Sequence, residues 1–390
     1  MILSRYAFSL AIKTRSVICL ILSLLVLSKM LGSDGVLELI LAPASSSSVR
    51  KTEACIVELK DGRLLLAYTD FYTTSPRDDG PARIRGRHSS DLGRTWTPPF
   101  TLVENTAKVN VMSVSLLRLQ SGELAMTYMF KNSHENRDQP FVPPDCSVLF
   151  CISQDEGKTF GPPVTITPRQ SFWVMNNDRL VQLKSGRLLA PCQRLDKWPV
   201  VRRSLAQVLY SDDIGRTWKG SELVDIPNNE DGADEPGVIE LRDGRILMYF
   251  RTDLGGIYQS FSSDSGVTWT MPEPMNLAAP KSPAVIKRIP STGDLLIVWN
   301  HTLPHRRGGQ HTDRFPLSVG VSQDEGQTWK IKDLDTDVRF TYGYPSIYFS
   351  KDQTLITYWA AREWPWWVSL KLKALPTPWL YQQEEFTDAK

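Results

Sequence analysis

Ser322-Gln323-Asp324-Glu325-Gly326-Gln327-Thr328-Trp329 follows the pattern Ser-x-Asp-x-Gly-x-Thr-aromatic, which occurs five times in this 390-residue chain. The other copies run from Ser89 to Trp96, Ser153 to Phe160, Ser211 to Trp218 and Ser262 to Trp269, with starts separated by 64, 58, 51 and 60 residues. A short carboxylate at the third position accepts hydrogen bonds from backbone N–H groups of its own turn. The glycine two residues on supplies the positive φ that such a turn requires. Five copies in register define a structural repeat, so Asp91, Asp155, Asp213, Asp264 and Asp324 read as turn-formers and not as catalysts. The closing Trp or Phe is expected to pack between sheets.

Working outward, each box is preceded by a strand-like run, such as Ser147 to Ile152 or Pro316 to Val321. Further upstream lies a hairpin with Asp-Gly, Ser-Gly or Thr-Gly at its turn: Ile56 to Leu65, Leu116 to Leu124, Leu180 to Leu189, Val238 to Leu247 and Ile286 to Leu296. One such hairpin plus one box hairpin makes a four-stranded unit, and radial repetition of units this size builds a propeller. Residues 344–372 alternate like three more strands without a box, and Val36 to Leu41 can supply the missing outer strand. The expected fold is therefore all-β, a six-bladed β-propeller filling residues 36–380 as a single domain.

The composition is that of an ordinary globular chain, 41% hydrophobic and 23% charged. A formal net charge of +2 supplies no bulk field to attract nucleic acid or an anionic membrane, so an acidic ligand would have to be held by a few placed arginines. Arg5, Lys13 and Arg15 precede an apolar run from Val17 to Leu27, which is shorter than a membrane span and reads as the core of a signal peptide over residues 1–33. Secretion or export to the periplasm is expected, with no stable membrane insertion after the signal is removed. Cys19 falls inside the apolar run, which argues against lipoprotein processing. Cys55, Cys146, Cys151 and Cys192 match no zinc-site spacing and read as buried thiols or optional disulfides.

With these repeats, the sequence resembles the sialidase (neuraminidase) superfamily, and in particular its exported bacterial members with Asp-box repeats. Glu235-Pro-Gly-Val-Ile-Glu-Leu leading to Phe250-Arg251 is similar to the family's glutamate-to-arginine segment. Arg314 stands eight residues before the box at Ser322, and Tyr344 in Gly343-Tyr344-Pro345 resembles the nucleophile that opens the last blade. The resemblance implies a carboxylate clamp of Arg50, Arg251 and Arg314, because guanidinium donors pair bidentately with a carboxylate. It also implies a general acid in Arg77-Asp78-Asp79-Gly80, where Asp79 is the first choice and Asp78 the alternative. The chain departs from the family twice. Val49-Arg50-Lys51-Thr52 stands where Phe-Arg-Ile-Pro is usual, and Trp359 follows Tyr358 where a glutamate usually holds the first arginine. Glu53 is the nearest substitute for that glutamate. Asp178, beside Asn177, is a further candidate for substrate binding, and Asn110 is another polar residue within reach of the axis.

The implied activity is an exo-acting, retaining glycoside hydrolase acting on sialylated or other acidic glycans, with no cofactor or metal. Sialic acid bears its carboxylate on the anomeric carbon, so a carboxylate nucleophile would meet a like charge. A phenol is neutral at rest, and Glu235 can take its proton. Tyrosine nucleophiles are the known exception among retaining glycosidases. Two other readings stay open: an acidic-glycan-binding propeller without turnover, and a uronate-directed hydrolase or lyase reusing the arginine pocket. Each residue also has a plainer reading, Tyr344 as a core aromatic and the arginines as solvent-facing strand ends. His301, His305 and His311 lack a carboxylate partner at metal-site spacing. The run Trp364-Pro365-Trp366-Trp367 fits either sugar stacking or burial.

Overall fold

The computed structural model describes residues 35–133, 145–168, 171–196, 203–227, 229, 231–302, 314–362 and 366–382. The expected signal peptide, His305, His311, Trp364 and Pro365 lie outside the described residues. Among those described, no helix is long and apolar enough to cross a membrane. The four cysteines from Cys55 onward are all buried and free.

The fold is an all-β propeller. Three four-stranded sheets and one five-stranded sheet stand apart, and an eight-stranded sheet holds the first and last of the described strands. That larger sheet has two halves. The first runs Arg50–Glu58, Leu64–Phe71, Ala82–Ser89 and Phe100–Val103, each strand antiparallel to the next. The last runs Thr341–Ser350, Gln353–Ala361 and Val368–Pro376, with Leu37–Ala42 added at its outer edge. A single parallel pair, Arg50 with Val368, joins the halves.

Local chemistry explains the repeat. In every box the aspartate accepts the threonine N–H at 2.8–2.9 Å and the threonine hydroxyl at 2.6–2.7 Å. The box serine hydroxyl also accepts the glycine N–H, at 2.9 Å for Gly93. Each box then leans on the preceding sheet. A Cβ on Gly215 would meet Phe150 at 2.2 Å, and Trp218 packs edge-on against the same ring at 5.3 Å. Gly93 faces Leu355 in the same way, so the first box packs on the last half of the eight-stranded sheet and the ring closes. The long apolar runs of the second strands are buried, packed in clusters with residues of neighbouring sheets.

The first strands meet at the axis. The Asp178 carboxylate accepts the Ile347 N–H at 3.0 Å, the Lys287 ammonium at 2.5 Å and the Cys55 thiol at 3.3 Å. One side chain thus ties together four parts of the ring.

Candidate functional site

The first strands do not run straight. Their pairing with the second strands slips between Thr52 and Cys55, Met112 and Ser115, Asp234 and Gly237, and Gly343 and Ser346. At each slip a non-glycine residue sits in the left-handed region: Glu53 at φ 53°, Ser113 at 54°, Glu235 at 42° and Tyr344 at 50°. Asp178, at φ 59°, is the counterpart in the five-stranded sheet. A bulge of this kind re-aims one side chain out of the ladder. Backbone strain at such positions persists only where the surrounding structure fixes it.

Three of these bulge residues build one cluster. The Tyr344 hydroxyl donates to Glu235 Oε1 at 3.1 Å, and Arg251 Nη1 donates to Glu235 Oε2 in a short ion pair. Arg314 lies with its guanidinium carbon 5.6 Å from the Tyr344 ring centre and 5.7 Å from that of Trp359, and its Nη2 donates to the Lys281 carbonyl at 3.2 Å. Arg50 donates to Asp78 in a short ion pair, to the Pro76 carbonyl at 3.1 Å and to Glu53 Oε1 at 3.4 Å. Arg50, Asp78, Asp79, Lys131, Arg314 and Tyr344 line one pocket of about 400 Å³, whose apolar wall is Trp359, Trp366 and Val368. The buried Nε–H groups of Arg251 and Arg314 have no hydrogen-bond partner among the described residues.

Electrostatics follow from this crowding. Burial raises the Tyr344 phenol well above its ordinary value, and the Glu235 charge raises it further. Burial alone would raise the Glu235 carboxyl as well, but Arg251, then Arg314 and the Tyr344 hydroxyl, outweigh it and hold Glu235 below the usual carboxylate range. Glu53 goes the other way. Its burial exceeds the help from Arg50 and pushes its carboxyl up to about 7. Arg314 is pushed down to about 10 by burial and by the neighbouring Arg251 charge. The cluster is therefore a neutral phenol touching a carboxylate amid three guanidinium groups, a setting made for an anion.

The structure brings together Tyr344, Glu235, Arg50, Arg251, Arg314, Glu53 and the Asp78–Asp79 turn. Asp178 is placed elsewhere: its carboxylate is taken up by Ile347, Lys287 and Cys55 at the axis, and it does not line the pocket. Sequence reasoning passed over Lys131 and the pairing of Asp78 with Arg50. It also left Trp359 as a mere departure, although the ring stacks on Tyr344 at 6.4 Å and 29°. Among the described residues no group of three or more His, Cys, Asp or Glu side chains is arranged to hold a metal.

The family model of the BNR repeat-like domain matches residues 128–356, more than half of the chain. The chain belongs to the sialidase-like BNR-repeat family. Within this BNR family it is 26% identical over 307 residues to a sialidase of Micromonospora viridifaciens, covering 70% of this chain and 44% of that protein. It is 25% identical over 236 residues to a sialidase of Clostridium perfringens, covering 56% of this chain and 60% of the relative. This BNR chain thus spans about half the length of the curated relatives it matches. Among solved structures, a Hadza microbial sialidase superposes with a TM-score of 0.68 at 19% identity, over 85% of this chain and 66% of its own. A likeness at that identity speaks for the fold.

Proposed function

We propose that this protein is a retaining exo-glycosidase that releases a terminal sialic acid, or a closely related acidic sugar, from glycans. The observation that carries the reading is the Tyr344–Glu235 hydrogen bond set among Arg50, Arg251 and Arg314. A buried phenol hydrogen-bonded to an ionised carboxylate is a nucleophile and its base. Guanidinium groups clustered around this pair suit a carboxylate that must be oriented for in-line attack.

In the first step Tyr344 Oη bonds to the anomeric carbon as the glycosidic C–O bond breaks. Glu235 takes the phenol proton, and Asp79 gives its proton to the departing oxygen. In the second step Asp79 takes a proton from water, whose oxygen displaces Tyr344, and Glu235 returns the first proton to the phenolate. The net change is hydrolysis with retention. Asp78 pairs with Arg50, and Asp79, which lines the same pocket, is the carboxylate assigned to the leaving group. The same reading counts the two halves of the eight-stranded sheet as separate blades, six in a single domain over residues 36–380, exported by its N-terminal signal.

The test is release of 4-methylumbelliferone from its α-N-acetylneuraminide, followed by fluorescence. Turnover by the wild type with the product retained in the α configuration on NMR supports the reading. Binding without turnover on aryl sialosides and sialyllactose alike overturns it in favour of a lectin-like propeller.

A further inference from the structure

The turn that carries the acid is held from the next sheet. Gly80 N–H donates to the Arg77 carbonyl at 3.2 Å, closing a tight turn over residues 77–80. The Asn110 amide Nδ2 donates to both the Asp78 and the Gly80 carbonyls, each at 2.8 Å. Lys131 Nζ donates to the same Asp78 carbonyl at 3.1 Å. The Asp78 carbonyl belongs to the peptide before Asp79 and the Gly80 N–H, bonded to Arg77, to the peptide after it, so both peptides flanking Asp79 are tied down, and the Gly80 carbonyl holds the far side of the turn. Asn110 and Lys131 are direct cross-strand partners at the head of the second sheet's hairpin. Asn110 is fully buried and Lys131 nearly so, with the Lys131 ammonium 5.3 Å from the Phe172 ring centre. A Cβ on Gly80 would come within 2.7 Å of the Thr73 side chain, so the turn has little room to shift.

We infer that Asn110 and Lys131 are positioning residues that hold the Asp78–Gly80 turn so that Asp79 meets the glycosidic oxygen. The inference rests on the proposed glycosidase reading. The amide must face its nitrogen to the turn, because only N–H can satisfy two carbonyls. Its Oδ1 is buried and unpaired, a cost that persists only if the two donated bonds are needed. Misplacing a general acid by a fraction of an ångström removes its contribution, which is on the order of 100-fold or more. That loss depends on the leaving group: a lactose hydroxyl needs a proton as it departs, whereas 4-methylumbelliferone leaves readily as an anion.

The experiment compares kcat on 3′-sialyllactose and on 4-methylumbelliferyl α-N-acetylneuraminide for the wild type, Asn110→Asp and Lys131→Met. Asn110→Asp keeps the volume and removes the donor. The ratio of lactoside to aryl kcat is expected to fall by ~30-fold or more in Asn110→Asp and by ~5-fold or more in Lys131→Met, scaled to the acid's share. Retained aryl turnover in Asn110→Asp, and an unchanged thermal midpoint in Lys131→Met, are the controls for folding. An equal loss on both substrates, or an unchanged ratio, overturns the positioning role while leaving the glycosidase intact. A wild type inert on both substrates overturns the glycosidase reading itself, and the positioning role with it.

Discussion

The Tyr344 hydroxyl donates to Glu235 Oε1 at 3.1 Å across 109 residues of sequence, and each of the two residues sits at a left-handed bulge of its own strand. The contact is made by two strained backbones, one from the second of the freestanding four-stranded sheets and one from the last half of the eight-stranded sheet. Neither position can be regularised without turning its side chain away from the other. Such strain is what a site kept in register for chemistry requires.

Tyr344→Phe removes the proposed nucleophile and keeps the ring that stacks on Trp359. Aryl sialoside turnover is expected to drop by ~1,000-fold or more, with the thermal midpoint little changed. A 2,3-difluorinated sialosyl fluoride should add one glycosyl mass to the Tyr344 peptide in the wild type and none in the variant. Labelling of any other residue would refute the nucleophile.

Glu53 gives the site a pH response. Its folded carboxyl is raised to about 7 from an ordinary 4.5, so the fold favours the protonated form. The associated stability is present at low pH and is lost as pH rises through about 7. Protonation also removes a negative charge beside Arg50, so KM for a sialoside should fall as pH drops from about 8 to about 6. Glu53→Gln should flatten that slope and lessen the drop in thermal midpoint over the same range. A KM profile identical in both proteins would count against Glu53 as its source.

The box aspartates predict the opposite slope. Hydrogen bonds from Thr217, Thr159 and Thr328 hold Asp213, Asp155 and Asp324 down at about 2, against an ordinary 3.8. Their contribution is fully present above about pH 4 and is lost as pH falls towards 2. The thermal midpoint of Asp213→Asn should lie below that of the wild type at pH 6, and the gap should narrow below pH 4. A gap that does not change with pH would mean that the charge is immaterial to the turn.

Gly215→Ala and Gly244→Ala separate backbone strain from wedging. Both glycines have positive φ, 83° and 87°, but a Cβ at Gly244 meets nothing within 4 Å while one at Gly215 meets Phe150 at 2.2 Å. Gly244→Ala should cost roughly 1–2 kcal/mol from conformation alone. Gly215→Ala should cost that plus roughly 1–3 kcal/mol of overpacking between sheets. Urea unfolding of the pair measures the difference, and equal losses would deny the box its wedging role.

The scaffold was legible because the box and hairpin turns are local: an aspartate, a glycine and a threonine within eight residues fix each other's geometry. The distance to the last box also located Arg314, whereas Tyr344 was found through the resemblance of Gly343-Tyr344-Pro345 to the family's last-blade segment. What could not be read was through-space. Asp78 and Asp79 are neighbours in a loop, and only the fold sends the first to Arg50. Asp178 shares the left-handed backbone of Glu235, yet its carboxylate takes Lys287 and Cys55 as partners and does not line the pocket. The left-handed bulges themselves were invisible, because residues such as Glu and Tyr rarely adopt that conformation and propensity argues against it.

The parallel pair between Arg50 and Val368 means that the proposed clamp lies at the seam where the first and last halves of the eight-stranded sheet are sewn together. Arg50 faces the pocket from one side of the stitch, and Trp366 and Val368 line it from the other. A clipped chain lacking either edge would have no finished mouth to this pocket. On the proposed glycosidase reading, turnover requires the circle to be joined.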